Sequence, residues 1–109
     1  MKRVKFISIE QLLEMKENND SIKIVEVLSE DNYRQGHIHG AINIPVDRIE
    51  KEAGKKLKKT DTIITYCASY ACHASTNAAK MLLKMGYKNV LDFKGSKKTW
   101  VDAGFKLEK

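Results

Sequence analysis

The chain has 109 residues, 42% of them hydrophobic, with 20 Lys and Arg against 14 Asp and Glu for a formal charge of +6. That length fits one domain over residues 1–109, able to bury a modest core without a disulfide or structural metal, and the composition excludes a disordered chain. No apolar run reaches the length of a membrane span, and the opening MKRVKFISIEQ lacks the apolar segment of a secretory signal, so a cytoplasmic setting with reduced cysteines is expected.

Val4 to Ile7 reads as a short first strand. SIEQ then reads as a capping box, with Ser8 as N-cap and Gln11 three residues on, opening a helix that NND closes near Asn18 or Asn19. IKIVEVL, Ile22 to Leu28, is rich in β-branched residues and predicts a strand, followed by a short helical turn in SEDNYRQG. AINIP, Ala41 to Pro45, is a further short strand stopped by the only proline. Val46, Ile49, Ala53 and Leu57 then recur at helical spacing, with Gly54 weakening the pattern.

Much of the positive charge lies here, on Lys51, Lys55, Lys56, Lys58 and Lys59. No aromatic residue interleaves with them, so a solvated helix face is expected and no nucleic-acid partner. No membrane partner is expected either.

TDTIITYC has the apolar character of a strand buried on both faces, as central parallel strands are. Ala74, Ala78, Met81, Leu82 and Met85 repeat at helical spacing up to Gly86, a natural C-terminal stop. KNVLDF is a last short strand, and SKKTWVDAG a last helix ending at Gly104. Strands alternating with helices throughout predict an α/β domain with a mainly parallel sheet.

In such a sheet ligands bind at the carboxyl ends of the strands. Cys67 ends the strand expected to be central, and the loop Ala68 to Cys72 leads into a helix whose first N–H groups are unpaired and favour an anion. A helix terminus contributes about 0.3–2 kcal/mol, which is expected to lower the Cys67 pKa by roughly one from its free value of about 8.5. The alternative at this point is a buried, inert cysteine closing a core strand.

Three segments resemble one family, the rhodanese-like domains. GHIHGAINIP, Gly36 to Pro45, is similar to its G-H-I-x-G-A-x-N-I-P segment. ITYCASYACHAS carries a cysteine where the family places its active-site thiol. The run from AAKMLLKMGYKNV to Leu107 keeps in step with its ending, through Gly86, Tyr87, Gly95, Trp100 and Gly104.

The resemblance implies a central five-stranded parallel sheet with helices on both faces. It also implies a sulfurtransferase or persulfide carrier. Cys67 would be the catalytic nucleophile that takes a sulfane sulfur as a persulfide and passes it to a thiol or other nucleophile. The active-site loop would be Ala68, Ser69, Tyr70, Ala71, Cys72 and His73, its amides cradling the sulfur. The implied partners are a sulfane sulfur donor and a thiol acceptor, small molecule or protein, with no cofactor and no metal.

The chain departs from the family pattern in the loop and in the second strand. Many members carry Arg in C-x-x-G-x-R-S, whereas here there is no Arg, Lys or Gly between Cys67 and the helix. An anionic donor then forgoes a charge-assisted hydrogen bond of about 1.5–3 kcal/mol, so a persulfide donor is expected to suit the loop better than thiosulfate. The second strand has Glu26-Val27-Leu28 where D-V-R is common, and Leu28 offers no charge in place of Arg.

Cys72 reads as a small apolar residue at the helix start or as a resolving thiol that attacks a Cys67 persulfide, if the two Cα atoms approach within about 7 Å. Some rhodanese-like domains carry a second cysteine at this spacing. His37 is expected to be structural and His39 exposed, and His73 at the helix start either has no role, hydrogen-bonds the loop or stabilises the thiolate. Tyr70 at the loop tip either covers the thiol or is a plain surface residue.

Two other functions stay open. One is a catalytically weak binding or redox-sensing module. The other is a phosphatase or arsenate reductase, which related folds build on C-x5-R, but the sixth residue after Cys67 is His73.

Overall fold

The computed structural model describes residues 4–18 and 21–109. Along the chain run β1 (Lys5–Phe6), α1 (Ile9–Asn18), β2 (Ile22–Glu26), α2 (Glu30–Gln35), β3 (Ile42–Asn43), a short 3-10 turn (Val46–Arg48), α3 (Ile49–Lys56), β4 (Thr62–Tyr66), α4 (Ala74–Lys84), β5 (Asn89–Asp92) and α5 (Ser96–Asp102). The strands form one sheet in the order β1-β5-β4-β2-β3, and every pairing is parallel. TIITY therefore lies at the centre of the sheet, as its apolar run predicts.

The pleat divides the core in two. Val25, Val27, Ile63 and Cys67 face Ile49 and Ala53 of α3 and Ala78, Ala79 and Leu82 of α4. Ile24, Ile64 and Tyr66 face Leu12 of α1 and Trp100 of α5. Side chains two apart on a strand share a face, so helices cover both faces of the sheet, and the central strand β4 is buried on both. Full burial of each such Ile or Leu stabilises the fold by about 1.5–3 kcal/mol before entropy is counted.

The local signals act as their chemistry requires. Gln11 N–H donates to Ser8 Oγ at 3.1 Å and Ser8 N–H to Gln11 Oε1 at 2.8 Å, the reciprocal bonds of a capping box. Helix α1 ends at Asn18, and the neighbouring Asn19 lies outside the described residues. Gly86 adopts φ +102°, and the bonds Tyr87 N–H to Leu82 O and Gly86 N–H to Leu83 O, each 3.1 Å, close α4 with a Schellman motif.

Two strands are shorter than their sequence patterns. AINIP forms a strand only at Ile42–Asn43: the Ile44 N–H still donates to the Glu26 carbonyl at 3.0 Å, Pro45 has no N–H, and the Asn43 side-chain amide bonds the Glu26 and Leu28 carbonyls at 3.0 and 2.9 Å. Strand β2 stops at Glu26, where the chain turns to the N-cap Ser29 of α2. The helix expected after Pro45 is split into the 3-10 turn and α3, and exposed Gly54 is accommodated with open space around it.

GHIHGAINIP acquires a physical account. A Cβ on Gly36 would stand 3.1 Å from Leu107 Cβ and Cδ1, so the C-terminal tail packs where a side chain would be. The His37 ring stacks on Tyr33 at 3.9 Å, and its main chain exchanges two 2.8 Å bonds with Glu108. His37 is thus structural, as expected. Ile38, Ala41 and Ile44 enter the core. His39 is exposed and pairs with Glu108. Lys51, Lys55, Lys56, Lys58 and Lys59 are all exposed, the solvated face their spacing predicts. Among the described residues no helix is long and apolar enough to cross a membrane.

Candidate functional site

Cys67 follows the last residue of β4 and points toward the start of α4. Its N–H donates to Ser96 Oγ at 2.9 Å, and its carbonyl accepts Lys97 N–H at 3.2 Å. The Ala68 carbonyl accepts Lys98 N–H at 3.0 Å. The first residues of the loop are therefore fixed to the start of α5. On the other side, Thr65 Oγ1 donates to the Ser75 carbonyl at 3.0 Å, tying α4 to β4.

The Cys67 sulfur is wholly buried. It lies 3.4 Å from the Cys72 carbonyl oxygen, 3.4 Å from Ser75 Oγ and 4.0 Å from Ser96 Oγ. Ser75 and Ser96 are themselves fully buried. Ser96 adopts φ +60°, the left-handed region that a non-glycine residue enters at a cost. Its hydroxyl meets three groups, accepting Cys67 N–H and lying 3.0 Å from the Phe93 carbonyl as donor.

The expectation of a lowered Cys67 pKa is overturned. Burial pushes this thiol up and the Cys72 thiol adds to that effect, while the Ser75 hydroxyl and amide pull part of it back. Desolvation outweighs the helix-terminus field because a thiolate here leaves water for a fully buried site.

Cys72 behaves oppositely. Burial raises its pKa, but contact with the Cys67 thiol, the Ala74 and Ala68 amides and the Lys94 charge together bring it below the ordinary cysteine value. Loop amides expected around Cys67 thus serve Cys72. Both cysteines are free, and Cys72 is only half-buried.

The remaining loop residues separate. Ser69 accepts Cys72 N–H on its carbonyl at 3.0 Å, forming the turn that carries the second cysteine back. Tyr70 is 72% exposed and covers no thiol; the Lys94 ammonium stands 5.6 Å from its ring centre. Ala68, Ala71 and His73 are exposed. His73 is the N-cap of α4 but makes no side-chain cap bond, so the loop hydrogen bond considered for it is not formed.

Three cations near the site come from outside the loop. Lys94, after β5, donates to the Cys72 carbonyl at 3.0 Å. Lys97 places its ammonium 3.0 Å from Glu26 Oε2, outside hydrogen-bond geometry but an intimate ion pair, and also bonds the Asn32 carbonyl at 3.0 Å. Lys98 contributes only its main chain, its side chain pairing with Asp102 at 2.9 Å.

Glu26 is fully buried and also accepts the Tyr66 hydroxyl at 2.7 Å. The Tyr66 oxygen in turn accepts Ile38 N–H at 3.0 Å, and burial holds the phenol far above its usual pKa, so it stays a donor. The charge that Leu28 does not offer is therefore supplied to Glu26 by Lys97. Lys94, Ser75, Ser96 and Lys97 are the site neighbours missing from the sequence reading. The signal available was positional: loops after adjacent parallel strands converge at their carboxyl ends, so the residues after β5 had to meet those after β4.

Comparison with known proteins adds the following. A family model described as Rhodanese-like domain matches residues 8–103. Thiosulfate sulfurtransferase PspE of Escherichia coli is 34% identical, over 67% of this chain and 69% of its own length. Thiosulfate sulfurtransferase GlpE of Shewanella oneidensis is 28% identical, over 94% of this chain and 98% of its own. Of two further curated relatives the chain spans 65% and 49% of the length. Among solved structures, the BH2092 protein of Bacillus halodurans superposes with a TM-score of 0.86 at 30% identity, covering 95% of this chain and 76% of that one.

Proposed function

The chain belongs to the rhodanese-like domain family, and we propose that it is a sulfurtransferase or persulfide carrier whose working sulfur resides on Cys67. Relatives named as thiosulfate sulfurtransferases support sulfur transfer between a donor and an acceptor. The observation that carries the choice of residue is the surroundings of Cys67. Its sulfur ends the central strand, faces α4, and lies beside two buried hydroxyls, Ser75 and Ser96.

In the transfer a thiolate attacks the outer sulfur of the donor, the donor S–S bond breaks, and its leaving group departs with the electron pair. A persulfide remains. A burial site suits that product better than it suits a thiolate, because a persulfide anion is the weaker base and the Ser75 hydroxyl stands 3.4 Å from the sulfur. An acceptor nucleophile then takes the terminal sulfur and releases the Cys67 thiolate, so turnover is ping-pong. A cytoplasmic setting, where thiols are kept reduced, belongs to the same reading.

The test is turnover. Purified protein is given thiosulfate or a small-molecule persulfide as donor, and cyanide or a thiol as acceptor. Sulfur transfer by wild type that is lost in Cys67→Ser supports the proposal, and transfer undiminished in Cys67→Ser refutes it. The contact between the two thiols favours one further reading, a redox-sensing module with little turnover. That reading predicts a Cys67–Cys72 disulfide under mild oxidation and no transfer by wild type from either donor.

A further inference from the structure

We propose that Cys72 is the port of the site: sulfur enters on Cys72 at the surface and is then handed inward to Cys67. The inference rests on the reading of Cys67 as the thiol that stores the sulfur. Its ground is access. Displacement at a sulfane sulfur needs the attacking atom in line with the donor S–S bond, and Cys67 presents no surface to a donor. Cys72 is half-exposed, on the outer side of the same loop.

The surroundings of Cys72 suit an entry thiol. Lys94 reaches in from the connection after β5, bonds the Cys72 carbonyl at 3.0 Å and stands over the Tyr70 ring. The same carbonyl oxygen lies 3.4 Å from the Cys67 sulfur. One peptide group thus links the surface cation, the outer cysteine and the buried sulfur. Tyr70, at 72% exposure, and Lys94 together form the rim that a donor meets first. The loop amides of Ala68 and Ala74, with the Lys94 charge nearby, bring the Cys72 pKa below the ordinary cysteine value.

The steps balance without an added oxidant or reductant. The Cys72 thiolate attacks the outer sulfur of the donor, the donor S–S bond breaks, and the leaving group takes the electron pair. Cys67 then attacks the terminal sulfur of the Cys72 persulfide. The bond between that sulfur and the Cys72 sulfur breaks, Cys72 leaves as a thiolate, and the proton of the Cys67 thiol passes to it. A thiol of low pKa leaves faster, and a thiol of higher pKa is the stronger nucleophile once ionised, so the contrast between the two cysteines directs sulfur inward. Reversal of the same exchange brings it out to an acceptor too large to reach Cys67.

Rapid-quench mass spectrometry with thiosulfate or a small-molecule persulfide as the probe tests this order, the added sulfur being located by fragmentation. Wild type carries it first on Cys72 and later on Cys67. Cys67→Ser still gains a sulfur, and it stays on Cys72. Cys72→Ser and Cys72→Ala both load Cys67 about tenfold more slowly or worse, which is the loss expected when the more ionised and accessible thiol is removed. If either Cys72 variant loads Cys67 at the wild-type rate, the port is refuted while Cys67 remains the storage thiol. If wild type gains no sulfur from either donor, both the port and the functional reading fall.

Discussion

Replacing Ser96 separates the two things this residue does. It is fully buried, sits at φ +60° and gives Cys67 N–H its acceptor at 2.9 Å. The left-handed conformation costs a non-glycine residue about 1–2 kcal/mol. Removing the hydroxyl leaves a buried N–H without a partner, at about 1–3 kcal/mol. Ser96→Ala keeps the conformational cost and loses the hydrogen bond, so it should destabilise by about 1–3 kcal/mol. Ser96→Gly loses the same bond and removes the strain, but gains about 0.4–1 kcal/mol of unfolded-chain entropy. Glycine should therefore be the more stable of the two by about 0.5–1 kcal/mol, or roughly 2–5 °C in Tm for a domain of this size. Urea unfolding followed by circular dichroism reads the difference, with an unchanged m-value as the check on two-state behaviour. Sulfur transfer should fall in both variants, because both release the main chain that aims Cys67. An alanine variant as stable as the glycine one would show that φ +60° stores no strain. Two variants equal to wild type would remove Ser96 from the account of the site.

The buried pair of Glu26 and Lys97 gives a second test: Lys97→Met should cost about 3 kcal/mol by leaving the carboxylate unpaired, and adding Glu26→Gln should recover much of it, as thermal unfolding of the two variants would show. Gly36→Ala forces Leu107 aside and should destabilise by about 1–3 kcal/mol, with faster amide exchange at Glu108 as its local signature. The folded pKa of Cys67 is raised, so its thiol contributes stability that is complete below the unfolded value and declines as pH rises from about 8.5 toward the folded value. Wild type should therefore lose more stability than Cys67→Ala across that alkaline window, and parallel pH–stability curves would contradict the burial argument. Iodoacetamide at neutral pH should label Cys72 before Cys67, read by peptide mass spectrometry. The reverse order would contradict the placement of both thiols.

The fold was legible because its signals are local and agree with one another. The capping box at Ser8, the strand at Thr62–Tyr66 and the glycine stop at Gly86 each express a backbone requirement that one or two residues satisfy. The edge strand is shorter than its hydrophobic run because Pro45 has no N–H to donate, although the Ile44 N–H still reaches the Glu26 carbonyl at 3.0 Å. Cys67 and its loop could be placed from the strand end alone. The ionisation of Cys67 could not, since it depends on desolvation, which only packing sets. Lys97 and Lys94 belong to a different connection, and their pairing with Glu26 and the Cys72 carbonyl is a tertiary fact that spacing does not encode. The Gly95-Ser96 step was equally hidden: a Cβ on Gly95 would stand 2.3 Å from Thr99 Oγ1, and that close turn is what delivers the Ser96 hydroxyl to Cys67.

The central claim is that Cys67 stores sulfane sulfur. Its most direct test is intact-protein mass spectrometry after equilibration with a small-molecule persulfide and removal of excess donor, with fragmentation to locate the added atom. The account predicts one added sulfur on wild type, held on Cys67 and lost to an added thiol. Wild type without added sulfur, or with the added atom located on a residue other than Cys67, would contradict it.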